Sequence, residues 1–372
     1  MEERLLQKLV AIPSFVDKKT NEIAVANFIF NILNKNTKLK IKKEFVGGGR
    51  FNILAYHNKN FKKLIAGHMD TVEIGKGMIG GKKGKKIDNK FFGRGSMDTK
   101  GGIASLLSAI LELKNINDCG FLFYCGEESD FIGMKSFIKK HPTLPAKICL
   151  VIEPTNLKLW NSHRGLIEIH YKIKGLTGHS SNPKIGISTN SFFVKVVGLL
   201  EKELSKFKTS ELGESTLNIP FVKGGFLLSK KENDIILSSQ GNNIPDYCEF
   251  IIEIRTAKSN LNAETVSSIV KKFFSENKIT VTEEIVKHNL GALITPKAST
   301  KIFEKLIKEK EKYLDGSKKG YGDGEMIAKA FKIPVFYLGP KGEGAHSDKE
   351  YVETDSLREL KQIYKEIISQ KL

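Results

Sequence analysis

Cysteine is scarce in this chain: its 372 residues include four, Cys119, Cys125, Cys149 and Cys248, and a single tryptophan. Their spacing matches neither a thiolate metal site nor the dense framework of a small secreted domain. Three sit in or beside apolar strand-like segments, and all are expected to be buried thiols. Long apolar runs are missing too. No stretch of about eighteen such residues occurs, which excludes a membrane-spanning helix. The N-terminus, Met1-Glu2-Glu3-Arg4-Leu5-Leu6, opens on acids rather than on the apolar stretch of a signal peptide. It reads as an amphipathic helix stopped near Pro13, and a cytoplasmic location is the expectation. Acids are in deficit, 42 against 60 lysines and arginines, for a net charge of +18. The lysines are scattered, with no long basic block and no aromatic interleaving, so a solvated surface is expected rather than a nucleic-acid binder. No His-Glu-x-x-His helix and no phosphate-cradling Walker loop is present. Gly75-Lys76-Gly77-Met78-Ile79-Gly80 has the spacing of a dinucleotide fingerprint, yet it continues as Gly81-Lys82-Lys83-Gly84-Lys85-Lys86. That is turn chemistry where the fingerprint requires a helix to begin.

What is there is an alternation of apolar strand-like runs with helical patterns. Leu64-Ile65-Ala66-Gly67 runs into His68, Gly120 to Cys125 into Glu127, and Ile148 to Ile152 into Glu153. Helical patterns lie between them, from Gly102 to about Lys114 and from about Phe131 to Lys139. This order predicts an α/β fold, a mixed but mostly parallel sheet flanked by helices. The style changes near residue 164. Leu166 to Lys174 alternates apolar and polar residues, and the order strand, helix, strand, strand, helix, strand follows through about Val286. That is the ferredoxin-like α+β arrangement. The chain then returns to its first style, with a helix expected over Thr300 to Tyr313, a strand over Val335 to Leu338 and a helix from Thr354. Three segments are therefore expected: 1–164 and 288–372 forming one catalytic domain, with 165–287 inserted into it.

Polar clusters fall where strands should end, at roughly thirty-residue intervals. They are His68-Met69-Asp70, Asp98, Glu127-Glu128 and Glu153, with His346 arriving late. Function collects at the carboxyl ends of parallel strands. Imidazole with carboxylate suits zinc, and a carboxylate can bridge two ions, so five such groups point to a two-metal hydrolytic site. Each has an ordinary alternative. His68-x-Asp70 alone is a weak signal, although residues two apart on a strand share a face, so Asp70 is expected to accept a hydrogen bond from the far ring nitrogen of His68. Asp98 stands before a helix and could be its N-cap. Glu127-Glu128 could be a solvated doublet. Buried together, they would repel unless a cation intervened, leaving one to bind metal and the other to take a proton.

With these residues quoted, the chain resembles the di-zinc aminoacylase and carboxypeptidase family of metallopeptidases, the group of acetylornithine deacetylase, succinyl-diaminopimelate desuccinylase and glutamate carboxypeptidase. The likeness runs through Gly67 to Val72, Gly93 to Gly101, Glu127-Glu128, Glu153-Pro154-Thr155 and Leu338 to Val352. The resemblance implies a zinc-peptidase-like catalytic domain with an inserted lid and dimerisation domain. It implies two zinc ions per chain, with cobalt or manganese able to replace them. Their ligands would be His68, Asp98 as the bridge, Glu128, Glu153 and His346. Glu127 would be the general base, and Asp70, the partner of His68, a further catalytic residue. Gly175 to Pro183 is similar to the family's lid motif, which makes His179 an oxyanion donor sent into a partner's site and implies a homodimer. Asn243-Ile244-Pro245 and Arg255 resemble the elements that hold a substrate carboxylate. The implied substrate is a small N-acyl amino acid or short peptide. Two features depart from the pattern: a Lys- and Gly-rich loop replaces the usual Trp and Pro-Phe segment before Gly93, and Glu325 stands where Arg or Asn is common. An acid there would favour a basic substrate side chain.

Overall fold

The computed structural model describes residues 1–116, 118–231, 234–238, 240–318 and 320–370. Two compact units emerge, one of Met1–Asn161, Thr295–Asp315 and Asp323–Leu372, the other of Ser162–Ile294 and Gly316–Gly322. The first is built on a six-stranded sheet. Its strands lie in the order Lys40–Gly47, Arg50–Tyr56, Cys119–Tyr124, Lys63–His68, Ile148–Val151 and Val335–Tyr337. The last four are mutually parallel, and the first two join antiparallel at one edge.

Every residue of Lys63–His68, Cys119–Tyr124 and Ile148–Val151 is buried. That explains why these strands read as continuous apolar runs rather than as alternations. Ile65, Phe121, Phe123 and Leu150 share one core cluster with helices Glu2–Val10, Ile23–Asn36, Gly101–Glu112 and Thr354–Ser369. Each buried side chain of this size contributes about 1.5–3 kcal/mol. Helices Ile132–Lys140 and Gly324–Phe331 meet through Phe137 and Phe331, whose rings are 6.2 Å apart. Because the central strands run parallel, their carboxyl ends, and the polar residues that follow them, lie along one edge of the sheet.

The second unit carries a five-stranded antiparallel sheet, ordered Asp234–Ser238, Thr216–Lys231, Tyr247–Arg255, Leu166–Lys174 and Thr280–Leu290. Without its first strand this is the ferredoxin-like order, with helices Thr189–Leu204 and Ala263–Glu276 as the crossovers. Ile167, Ile169, Tyr171 and Ile173 point alternately inward onto Val196, Leu200, Val266 and Val270. Both helices start on side-chain caps: Ser188 accepts from the Ser191 N–H and Asn262 from the Thr265 N–H. The edge hairpin formed by Asp234–Ser238 was not expected from the sequence.

Two further differences have physical causes. The unit divides at 161/162 and 294/295, because Ser162–His163 pairs with Leu293–Ile294. The helix expected over Thr300 to Tyr313 is limited to Lys297–Thr300 and a tight turn over Lys301–Leu306. Beyond it, Lys308 to Lys312 alternates charges and offers no apolar face. The backbone there pairs with Leu159 instead: the Leu159 N–H donates to the Lys312 carbonyl, and the Leu314 N–H to the Leu159 carbonyl.

Lys63 closes the last helix of the first unit. The residue is 2% exposed, and its ammonium donates to the carbonyls of Ile367, Ile368 and Gln370. A cation at a helix C-terminus is favourable, and more so when buried. Lys63→Met should therefore cost about 2–3 kcal/mol. Thermal unfolding would register that loss, and an unchanged midpoint would mean that the cap contributes nothing.

Candidate active site

Five segments of the first unit bring the candidate residues together. His68 ends its strand with its ring buried. Its Nε2 lies 3.0 Å from Asp98 Oδ1 and 3.8 Å from Glu153 Oε1. Asp98 follows the turn Gly93–Ser96, where Gly95 adopts φ +78° and the would-be Cβ would meet Thr71 at 2.6 Å. Only glycine tolerates that conformation and approach. The other Asp98 oxygen, Oδ2, lies 3.5 Å from His346 Nε2, which is 2.9 Å from Glu128 Oε1. The Asp98 carboxylate thus stands between two like sets, His68 with Glu153 and His346 with Glu128. One ligand-capable atom each from His68, Asp98 and Glu128 lies within 4.8 Å of the others.

Asp70 does something other than expected. His68 Nδ1 faces the Asp70 backbone carbonyl at 3.1 Å, while the carboxylate is 3.7 Å away, beyond hydrogen-bond reach. The carboxylate is engaged elsewhere. Its Oδ1 accepts from the N–H groups of Gly126 and Glu127, at 2.9 and 3.1 Å, and its Oδ2 from Glu128 N–H at 2.8 Å. Three charge-assisted bonds hold it there, so Asp70 shapes the turn that presents Glu127 and Glu128. Nothing in the spacing of His68 and Asp70 announces a contact with residues more than fifty positions later.

The charges answer to this crowding. Burial opposes a charge on His68, yet the carboxylates of Asp70 and Asp98 hold its pKa well above the ordinary imidazole value. Hydrogen bonds to Asp98 and Glu128 raise His346 to about 10. Burial also works against the Asp98 anion, but the two imidazoles more than reverse it and keep its carboxyl well below the usual range. Glu127 keeps part of its surface in solvent, whereas its carboxyl is deeply enclosed. Burial pushes it, like Glu153, well above the ordinary carboxyl value. Glu153 Oε1 is buried without a hydrogen-bond partner. Imidazoles, carboxylates and one unsatisfied buried oxygen converging on a shared centre fit a divalent cation with nitrogen and oxygen ligands.

Tyr124 and Asp323, which the sequence reading left aside, pair with one another. Tyr124 hydroxyl donates to Asp323 Oδ1 at 2.8 Å, and burial lifts the Asp323 carboxyl to about 7. Glu325 is buried at the start of helix Gly324–Phe331.

The second unit holds the other three candidates. The backbones of His179 and Asn243 bridge to one another, and His179 Nδ1 lies 2.7 Å from Ser181 Oγ. Arg255 donates to Glu253 Oε1 at 3.0 Å. It closes the strand Tyr247–Arg255, whereas Asn243 precedes that strand's first residue. At about 3.3 Å per residue the strand separates them by roughly 26 Å. Within one chain, Arg255 and Asn243 therefore lie toward opposite ends of that strand.

A sequence profile of the family described as Peptidase family M20/M25/M40 matches residues 64–370. The chain belongs to this family. It is a hydrolase. A protein of Aspergillus clavatus named a probable carboxypeptidase is 33% identical over 67% of this chain, which spans 60% of that protein's length. An acetylornithine deacetylase of Buchnera aphidicola is 30% identical over 86% of this chain and 84% of its own. Among solved structures, the M20 family metallo-carboxypeptidase of Sulfolobus solfataricus superposes with a TM-score of 0.71 at 16% identity, covering 99% of this chain and 98% of that one. The aminopeptidase PepT of Bacillus cereus gives 0.74 at 20% identity, covering 100% and 99%. These two share the fold.

Metal ligation requires neutral imidazole, and the neighbouring carboxylates hold the pKa values of both His68 and His346 above the ordinary imidazole value. Metal uptake at pH 7.5 should therefore release about two protons or more, and affinity should fall as pH is lowered. Calorimetric titration with zinc in buffers of different ionisation enthalpy measures this. Uptake without proton release would contradict the assigned protonation.

Proposed function

We propose that the chain hydrolyses the amide bond of an N-acyl amino acid, releasing a carboxylate and a free amino acid, with two zinc ions held per chain. The observation that carries this reading is the Asp98 carboxylate between two matched imidazole–carboxylate sets. His68 and Glu153 would hold one ion, Glu128 and His346 the other, and Asp98 both; cobalt or manganese suits the same donors. When bound, such a pair acidifies water and polarises the scissile carbonyl.

The chain's own residues supply the rest. Glu127, its proton affinity raised by burial, takes the proton of the attacking water and returns it to the nitrogen of the leaving amine. Asp70 fixes the turn from which Glu127 works, through the three N–H bonds it accepts. His179 donates to the carbonyl oxygen as negative charge develops there. Arg255 receives the free carboxylate of the substrate in a two-toothed grip. Because Arg255 lies a strand's length from His179 and Asn243 within one chain, we assign these two groups to different subunits of a homodimer paired through the inserted unit. Free and buried thiols at all four cysteines accord with a reducing cytoplasm. Among the described residues, no helix is long and apolar enough to cross a membrane.

The likeness to a probable carboxypeptidase supports a second reading, hydrolysis of a dipeptide or of a C-terminal residue. A panel of N-acetyl and N-succinyl amino acids and dipeptides separates the two, and inertness toward all of them would refute both. Within the panel, basic amino acids should be preferred if the buried acid Glu325 faces the side-chain subsite. Glu127→Gln should lower kcat about 10²- to 10⁴-fold while zinc content is retained. Loss of zinc in that variant would make Glu127 a ligand instead.

A further inference from the structure

His346, with φ +66°, is a non-glycine residue in the left-handed region, on a turn that is partly exposed. Such a conformation persists only where its surroundings impose it. Two acids that follow His346 anchor its segment to other parts of the fold. The first is Asp348. Its Oδ2 accepts from Gly77 N–H at 3.1 Å, and its carbonyl from Ile79 N–H at 2.9 Å. A Cβ at Gly75 would lie 1.9 Å from Asp348 Oδ1, and one at Gly77 2.7 Å from Oδ2. The glycine-spaced segment that imitates a nucleotide loop is thus a cradle for this carboxylate.

The second acid is Glu350, four positions after His346 and 1% exposed. Its Oε2 accepts from Arg94 Nη1 at 2.6 Å. Its Oε1 accepts from the backbone N–H groups of Met97 and Asp98, at 3.1 and 3.2 Å. Its carbonyl accepts from Gly93 N–H at 3.1 Å. Arg94 is itself buried, and its Nε donates to the Glu73 carbonyl at 3.0 Å. One side chain therefore binds the segment carrying His346 to the backbone of Asp98. These two ligand candidates are otherwise 248 positions apart in sequence, by subtraction of their numbers.

We propose that Glu350, oriented by Arg94, is a positioning residue: it sets the Asp98 carboxylate against His346, so that metal affinity depends on a side chain that is not among the ligands. The inference rests on the metal-centre reading above. An ionised carboxylate suits the task because it can serve two N–H groups and a guanidinium at once. An amide in its place turns a donor toward one of those three and leaves the buried Arg94 charge uncompensated.

The test uses the full chain stripped of metal and titrated with zinc alone against a chelator of known affinity. Glu350→Gln should remain folded by circular dichroism and bind zinc about 10- to 100-fold more weakly, the cost usual for a residue that orients ligands. Its kcat should recover at saturating zinc with KM unchanged, which a residue acting only on stability would not produce. Arg94→Lys keeps the charge but loses the fork, and should weaken zinc several-fold. Should Glu350→Gln fail to fold, Arg94→Lys decides by the same criteria. Zinc affinity within about twofold of the natural protein in the folded variant would overturn the proposal while leaving the metal centre intact. A natural protein that takes up no zinc would instead remove the metal-centre reading itself.

Discussion

Two imidazoles clamp one carboxylate, and the rest of the first unit is arranged around that contact. His68 and His346 approach opposite oxygens of Asp98. Around them gather Glu127, Glu128, Glu153 and, further in, Asp323. Two carboxylates about 4 Å apart repel by about 4 kcal/mol at the effective dielectric of a protein. That exceeds the roughly 1.5–3 kcal/mol gained by burying a core side chain. Such a gathering persists because the apolar sheet beneath holds it, and because positive charge is placed inside it. Burial and mutual repulsion leave Glu127 and Glu153 with raised proton affinity, while the imidazoles take protons they would otherwise lose. A site in that condition is poised to exchange protons for a dication.

The parallel sheet contributes direction. Lys63–His68, Cys119–Tyr124 and Ile148–Val151 run side by side in one sense, so His68, the Glu127-Glu128 turn and Glu153 emerge together. Backbone groups then do most of the positioning. Asp70 gathers three successive N–H groups of the glutamate turn, and Glu350 gathers two from the Asp98 turn. In both places a buried carboxylate organises main chain from a distant segment. The candidate ligands are thereby held from behind, with their own polar atoms directed to the centre.

The ferredoxin-like unit follows a different logic. Its strands alternate, burying Ile167, Ile169, Tyr171 and Ile173 against two capped helices. Its candidate functional residues sit at opposite ends of one extended strand. Extension is what separates Arg255 from the His179–Asn243 pair, and no side-chain movement spans that length. That rigidity is the reason for assigning the two groups to different subunits in the proposed function.

Read alone, the sequence determined a good deal. Apolar runs of strand length fixed a sheet buried on both faces, and the change to alternating residues at Leu166 marked the inserted unit, because periodicity follows which faces are buried. Polar residues at the ends of the runs named the metal-site candidates, since a parallel sheet collects its strand ends. What the sequence could not decide were contacts between distant segments. The Asp70 carboxylate turned from His68 to the amides of Gly126, Glu127 and Glu128; Asp348 filled the Gly75–Gly77 cradle; Glu350 reached Asp98; and the residues after Leu306 gave up helix to pair with Leu159. Each was settled by which backbone donors and acceptors the finished fold left within reach. Local propensity and spacing carry no record of that, because those partners become neighbours only after the chain has folded.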